Sequence, residues 1–193
     1  TIIPNGIDDY WHNQRYAPSV QLPPKNILYV GRFDNNKNVL ALISAIQKVR
    51  EQFPEVQLHL VGGRGAQASK IIAKIAQNDW LSYFGEIYER EELKKIYRQH
   101  DLFAMVSHSE TFGLVYLEAL SQGLPVIYSN RQGIDGLFKN GIVGYSASSI
   151  RTEEIANAII KAIRNYKTLR QNIDKLTLDD YSWGKIASHY QEI

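Results

Sequence analysis

Two carboxylates, Glu110 and Glu118, lie eight positions apart in a chain of 193 residues, in unlike surroundings. Glu110 belongs to the polar stretch Ser107-His108-Ser109-Glu110-Thr111, which follows a short apolar run at 102–106 that reads as a buried strand. Glu118 belongs to Leu114-Val115-Tyr116-Leu117-Glu118-Ala119-Leu120, a helix apolar around most of its circumference and therefore largely buried. A carboxylate there is costly unless something hydrogen-bonds to it. Its partner is either a donor within the protein or a ligand hydroxyl arriving at the open edge of a sheet. Glu110 stands just outside the start of that helix. Backbone N–H groups at a helix N-terminus collect phosphate, and a carboxylate beside them can orient sugar hydroxyls. Ser109 or Thr111 can cap the helix. Gly113, lacking a side chain, lets a ligand approach the backbone closely. Gly123 and Pro125 end the helix and launch the next strand.

Arg32 and Lys37 form a second pair. They flank the turn Gly31-Arg32-Phe33-Asp34-Asn35-Asn36-Lys37-Asn38, between a strand at 26–31 and a helix at 39–52. Strand, glycine turn, helix begins a Rossmann-like unit, and open α/β sheets bind ligands at the carboxyl edge of their strands. Taken alone, the two cations are either solvated or a grip for an anion.

Further strands are expected at 56–61, 80–85, 126–130 and 141–145. Helices are expected at 66–77 (Ile71, Ile72 and Ile75 inward), 89–100 (Leu93, Ile96 and Tyr97 inward), 152–164, 166–178 and from about 181 to the end. Residues 9–24 lack periodicity and contain prolines, so they read as a surface loop packed down by Tyr10, Trp11 and Tyr16. The alternation predicts an α/β fold: a Rossmann-like parallel sheet of about six strands with helices on both faces.

Composition narrows the chemistry. Apolar residues make up 44%, enough for a real core, and a net charge of +2 with scattered basic residues points away from nucleic acid. Cysteine is absent, so disulfides and thiolate chemistry are excluded. No two histidines stand at i, i+4, no Asp-x-Asp occurs, and His59 reads as a packing residue. No apolar run approaches the length of a membrane span. The chain starts in mid-motif without Met, which gives the expectation of a piece of a longer protein.

The spacing Glu110-x7-Glu118 encloses Phe112-Gly113-Leu114 and runs on into Glu118-Ala119-Leu120-x-x-Gly123-x-Pro125-Val126. With those flanks the sequence resembles the retaining glycosyltransferases of the GT-B fold, in particular the large family 4 (glycosyl transferases group 1). The resemblance spans nearly the whole chain but only the carboxyl half of such an enzyme. It implies one nucleotide-sugar-binding domain over 1–193, with an opening segment and loop at 1–24 and a C-terminal crossing helix at 181–193. The amino half, with the acceptor site, is absent. Catalytic roles fall to Arg32 and Lys37 on the donor's diphosphate and to Glu110 on the transferred sugar. Thr111, Phe112, Gly113 and Leu114 hold phosphate or sugar, Glu118 the ribose hydroxyls, and Gly31, Gly62 and Gly63 lie by the nucleotide. Ile87 falls where the family's backbone meets the base. The substrate is a nucleotide-diphosphate sugar, with no cofactor and no metal. The acceptor is a glycan or lipid-linked glycan. The full protein is expected in the cytoplasm, with peripheral association at the inner face of the membrane. Where many relatives carry Gly-x-Pro-Glu, this chain has Gly133-Ile134-Asp135, which leaves the role of Asp135 open. A nucleotide-sugar epimerase of the same fold, or a non-catalytic binding module, are the alternatives.

Overall fold

Six short strands, β1 (Asn26–Arg32), β2 (Gln57–Gly63), β3 (Leu81–Tyr83), β4 (Leu102–Ala104), β5 (Val126–Ser129) and β6 (Gly144–Ala147), all run parallel in the order β3-β2-β1-β4-β5-β6. The coordinates are a computed structural model that describes residues 5–16 and 22–191. Parallel strands need crossover connections; the first four here are helices α2 (Val39–Arg50), α3 (Ala68–Ile75), α4 (Arg90–Arg98) and α5 (Leu114–Ser121), and β5 is joined to β6 by turns. The expected fold class, a parallel sheet with helices on both faces, is the one present. Helices α6 (Thr152–Arg164) and α7 (Tyr166–Lys175) follow β6, with α6 packed on α2.

The strand order reverses between β1 and β4. The two strands are in register only at Ile27↔Leu102 and Leu28↔Phe103, whereas β1 pairs with β2 along seven positions. The far end of β1 therefore parts from β4 and opens a notch at the carboxyl edge of the sheet. In open α/β sheets this switch point is where ligands bind.

Burial follows the pattern of the sequence. All four residues of β5 are buried, as are Tyr116, Leu117, Ala119 and Leu120 of α5, so the Glu118 helix lies inside as its apolar circumference requires.

Several expectations are corrected. The stretch 9–24 is not loop throughout: α1 (Asp9–Asn13) begins where the Asp8 carboxylate accepts from the Tyr10 N–H at 2.9 Å. Trp11 is buried with its ring edge-on to Tyr97. Five residues are too few to show a helical period. Strands β3 and β4 are shorter than expected, at three residues each, although Met105 and Val106 continue the buried run past β4. The last strand starts at Gly144, not Gly141, because the Gly141 N–H closes a turn onto the Gly144 carbonyl at 2.8 Å. Ile72 is exposed, since the eight-residue α3 buries only Ile71.

Helix α8 (Trp183–Gln191) follows a 3₁₀ turn, Asp179–Tyr181. Ile7 bridges Ser182 in parallel, and Gly6 lies so near the Trp183 ring that a Cβ there would come within 2.6 Å of it. The opening and closing segments thus run side by side. Residues 1–4 of the expected opening segment, 17–21 of its loop and 192–193 of the expected last helix lie outside the described residues.

Candidate functional site

The notch between β1 and β4 is a cleft of about 390 Å³, walled by the β1–α2 turn on one side and the start of α5 on the other. Both walls are set by local hydrogen bonds. Asp34 accepts from the Lys37 N–H at 2.9 Å, a side-chain bond to the backbone three residues on that folds the β1–α2 connection back on itself. Asn36 then ties the two loops together. Its carbonyl accepts from the His108 N–H (2.8 Å), and its side chain both accepts from the Ser109 N–H and donates to the Ser109 carbonyl (2.8 Å each). Asn38, in the left-handed region at φ 55°, donates to the carbonyls of Val106 (3.2 Å) and Ser149 (2.6 Å). From the β5 side, Gln132 accepts from the Glu110 N–H and donates to the His108 carbonyl, at 2.7 Å each.

This clamping brings Lys37 Nζ to 2.6 Å from Glu110 Oε2 across 73 residues of sequence, with the two side chains only 22% and 12% exposed. Arg32 behaves differently. Its side chain is 70% exposed, pairs with Asp34 at 3.3 Å and stands at the rim.

The start of α5 corrects the sequence reading. Neither Ser109 nor Thr111 caps it; the N-cap is Gly113, with no side-chain cap. Gly113 has φ +75°, and a Cβ there would lie 2.5 Å from the Tyr116 ring, so only glycine fits. The helix end therefore presents backbone to the cleft, which Phe112, Gly113 and Leu114 line together with Thr111.

A second hollow, about 310 Å³, shares Gly31 and Arg32 with the first and extends along Gly62, Gly63 and Ile87. Gly62 has φ +121°, and a Cβ there would collide with the Gly31 carbonyl at 1.9 Å, so the β2 turn lies tight against the end of β1.

Glu118 lines neither hollow; it lies one helical turn past Leu114, which lines the first, and beside Tyr97 of α4. Its one hydrogen-bond donor among the described residues is the Tyr97 hydroxyl at 3.1 Å. Burial raises its pKa to about 7, against the opposing pull of that hydrogen bond and of Arg90. The Tyr97 phenol is pushed well above its usual range, first by its own burial and then by the nearby carboxylate.

The chain matches the family described as glycosyl transferases group 1 over residues 13–177. It belongs to that family. The glycogen synthase of Mycobacterium tuberculosis is 29% identical over 201 residues, spanning 97% of this chain and 46% of the synthase. The sucrose-phosphate synthase of Thermosynechococcus elongatus superposes with a TM-score of 0.76 at 26% identity, over 98% of this chain and 50% of that one. A pneumococcal O-GlcNAc transferase, solved with UDP and GlcNAc, gives a TM-score of 0.74 at 20% identity over 98% of this chain and 37% of its own, a likeness of fold. This chain spans about half the length of the curated relatives it matches.

In this group 1 chain, sequence reasoning missed Asn36, Asn38 and Gln132, which position the Lys37–Glu110 pair without lining the cleft. The run Asn35-Asn36 between strand and helix carried a faint signal, since asparagine side chains bond backbone in turns. Asp135 is occupied locally: it accepts from the Arg131 N–H at 2.6 Å, where Arg131 holds φ 61°. His108 Nδ1 lies 3.2 Å from Ser149 Oγ. His59 packs as expected, with Nδ1 2.7 Å from His100 Nε2. Among the described residues no three of His, Asp and Glu gather as a metal-ligand set, and no helix is long and apolar enough to cross a membrane.

Proposed function

We propose that this chain is the donor-binding half of a retaining, metal-independent glycosyltransferase of family 4 that builds a polysaccharide, lipopolysaccharide or glycolipid. One observation carries the reading. At the switch point, a cation and a carboxylate from different loops are held 2.6 Å apart beside a helix end that offers backbone rather than a capping side chain. A diphosphate needs the cation and the N–H groups; a sugar hydroxyl needs the carboxylate. The UDP and GlcNAc bound in the pneumococcal relative support a nucleotide-sugar donor.

On this reading each side chain has a role. Lys37 exchanges part of its bond with Glu110 for a diphosphate oxygen, and the exposed Arg32 swings in from the rim. Both offset the charge that grows on the leaving diphosphate, the transition-state effect with the greatest leverage in a site of fixed donors. Released from full engagement with Lys37, Glu110 accepts from the hydroxyls of the transferred sugar. Glu118 takes the ribose hydroxyls as partners beyond Tyr97. The base lies along the second hollow at Ile87. The acceptor attacks on the face the diphosphate leaves, with a diphosphate oxygen taking its proton, which retains configuration. The acceptor, a glycan or lipid-linked glycan, is held by the other half of the full protein, which works in the cytoplasm and rests peripherally on the inner face of the membrane.

Titration of the chain with a nucleoside diphosphate and with the bare nucleoside tests this. Arg32→Ala should weaken the diphosphate at least about tenfold, the value of a charge-assisted hydrogen bond, and leave the nucleoside nearly unaffected. Equal losses for both ligands would move Arg32 away from the phosphates. Positioning of both reactants can account for ~7–11 kcal/mol of a barrier, so the chain alone should bind donor without transferring sugar. Transfer to any acceptor by the chain alone would refute the division of labour.

A further inference from the structure

The second hollow ends in three polar side chains that the diphosphate and sugar roles leave unused: Arg64, Glu86 and Tyr88. Arg64 Nε lies 3.0 Å from Glu86 Oε2 and 3.3 Å from Oε1, so it engages both oxygens. The Tyr88 hydroxyl donates to Glu86 Oε2. Glu86 is fixed against the β2 turn, where a Cβ on Gly63 would meet its Oε1 at 3.0 Å. Arg64 is 76% exposed and Glu86 30%, so the pair is open to a ligand. The turn that carries Arg64 is unusual. Gly62, Arg64 and Gly65 all hold positive φ, at 121°, 42° and 126°, and Arg64 alone of the three has a side chain that disfavours it.

We infer that Arg64 and Glu86 select the base of the donor and that they select guanine. This rests on the donor-site reading above. A carboxylate only accepts, and a guanidinium only donates. Guanine presents one acceptor, O6, beside two donors in line, N1–H and the 2-amino group. A guanidinium beside a carboxylate is complementary to that edge. Uracil presents O4, N3–H and O2, so a carboxylate that meets N3–H also faces the lone pairs of O2. Adenine offers its 6-amino group but then an acceptor at N1, which the carboxylate repels. The side chains at this end of the hollow thus favour GDP over both ADP and UDP.

Calorimetric titration of the 193-residue chain with GDP, ADP and UDP reads this directly. GDP should bind about tenfold or more tighter than UDP, the discrimination of one good two-point base contact. Glu86→Gln replaces one acceptor oxygen by a donor, which suits uracil and opposes guanine. It should weaken GDP about tenfold, leave UDP unchanged or tighter, and so erase or invert the preference. Retained UDP binding also shows that the variant is folded. UDP or ADP binding as tightly as GDP to the unmodified chain would overturn the inference and leave the donor site standing. So would a preference for GDP that Glu86→Gln does not disturb. Failure of all three nucleotides to bind would overturn the donor-site reading and this inference with it.

Discussion

Glu110 and Glu118 sit at the two ends of one connected piece of chain, the loop that opens α5 and the body of α5, and they live under opposite electrostatics. Glu110 is only 12% exposed yet has a cation 2.6 Å away and backbone clamps on both sides. Glu118 is partly buried on an otherwise apolar helix, its one hydrogen-bond donor among the described residues is a phenol, and desolvation lifts its pKa to about 7. The loop can bring in partners from distant sequence, so it satisfies a charge within the protein. The helix body cannot reach out, so a carboxylate placed there stays short of donors. Residues of one type, eight positions apart, should therefore answer substitution in opposite ways.

Removing the partner of Glu110 should have the largest effect. Lys37→Ala deletes the cation proposed to hold the diphosphate and leaves Glu110 as an uncompensated anion in the cleft. Truncating one member of a desolvated charge pair costs about 2–5 kcal/mol, so diphosphate binding should fall by well over tenfold. Glu110→Gln in the same chain should recover part of that loss, because it removes the orphaned charge. A double variant that binds no better than Lys37→Ala would show that the two side chains act independently and would break the first half of the comparison.

Glu118→Gln sharpens the other half. Gln keeps the shape and one acceptor oxygen but never has to ionise. Thermal stability at neutral pH should be raised, because Gln still accepts from the Tyr97 hydroxyl and no carboxylate has to ionise in a desolvated place. Binding of a nucleoside diphosphate should weaken by roughly 1.5–3 kcal/mol, the range for hydrogen bonds to a charged group. A ribose-deoxygenated ligand should bind wild type and variant nearly alike, which isolates the contact between carboxylate and hydroxyl. Additive losses in that cycle would place the ribose elsewhere.

The two carboxylates also mark what the sequence made legible. The sheet, its helices and the apolar jacket of Glu118 were readable, because periodicity and hydrophobic runs are local properties. The cleft lining was readable in part, since Arg32, Lys37 and 111–114 follow strands that end at one edge. The pairing of Lys37 with Glu110 was not, because it depends on β1 and β4 becoming neighbours at the switch point, a fact of topology that no local window contains. Asn36 and Gln132 were hidden for the same reason: each bonds a backbone group in another loop. The expected cap at Ser109 or Thr111 failed because the chain enters α5 through the positive φ of Gly113, which puts both side chains out of reach of the first turn.

The smallest effect is the response to pH, and it is the most direct reading of Glu118. Its ordinary pKa of 4.5 rises to about 7 in the folded protein, through burial. Between those values the folded chain holds a proton that the unfolded chain has lost. Stability rises with pH only where the unfolded state binds more protons, so here it must fall. The contribution is complete below about pH 4.5 and is lost as pH climbs through 7. Glu118→Gln lacks this term. Denaturant unfolding should therefore find the two proteins closely matched near pH 4.5, and the wild type losing up to about 1.4 kcal/mol relative to the variant for each pH unit above that until the shift is spent near pH 7. On the proposed reading, nucleotide supplies further donors. When ribose hydroxyls bond the carboxylate they favour its ionised form, so binding expels the proton. The nucleoside diphosphate should thus gain more affinity between pH 6 and pH 8 than its 2′,3′-dideoxy form, which shares the terminal phosphate's own ionisation at about pH 6 but not the ribose contact. Parallel stability curves for wild type and variant from pH 4.5 to 8 would mean that Glu118 is already satisfied within the protein, as Glu110 is, and the contrast between the two ends of α5 would collapse.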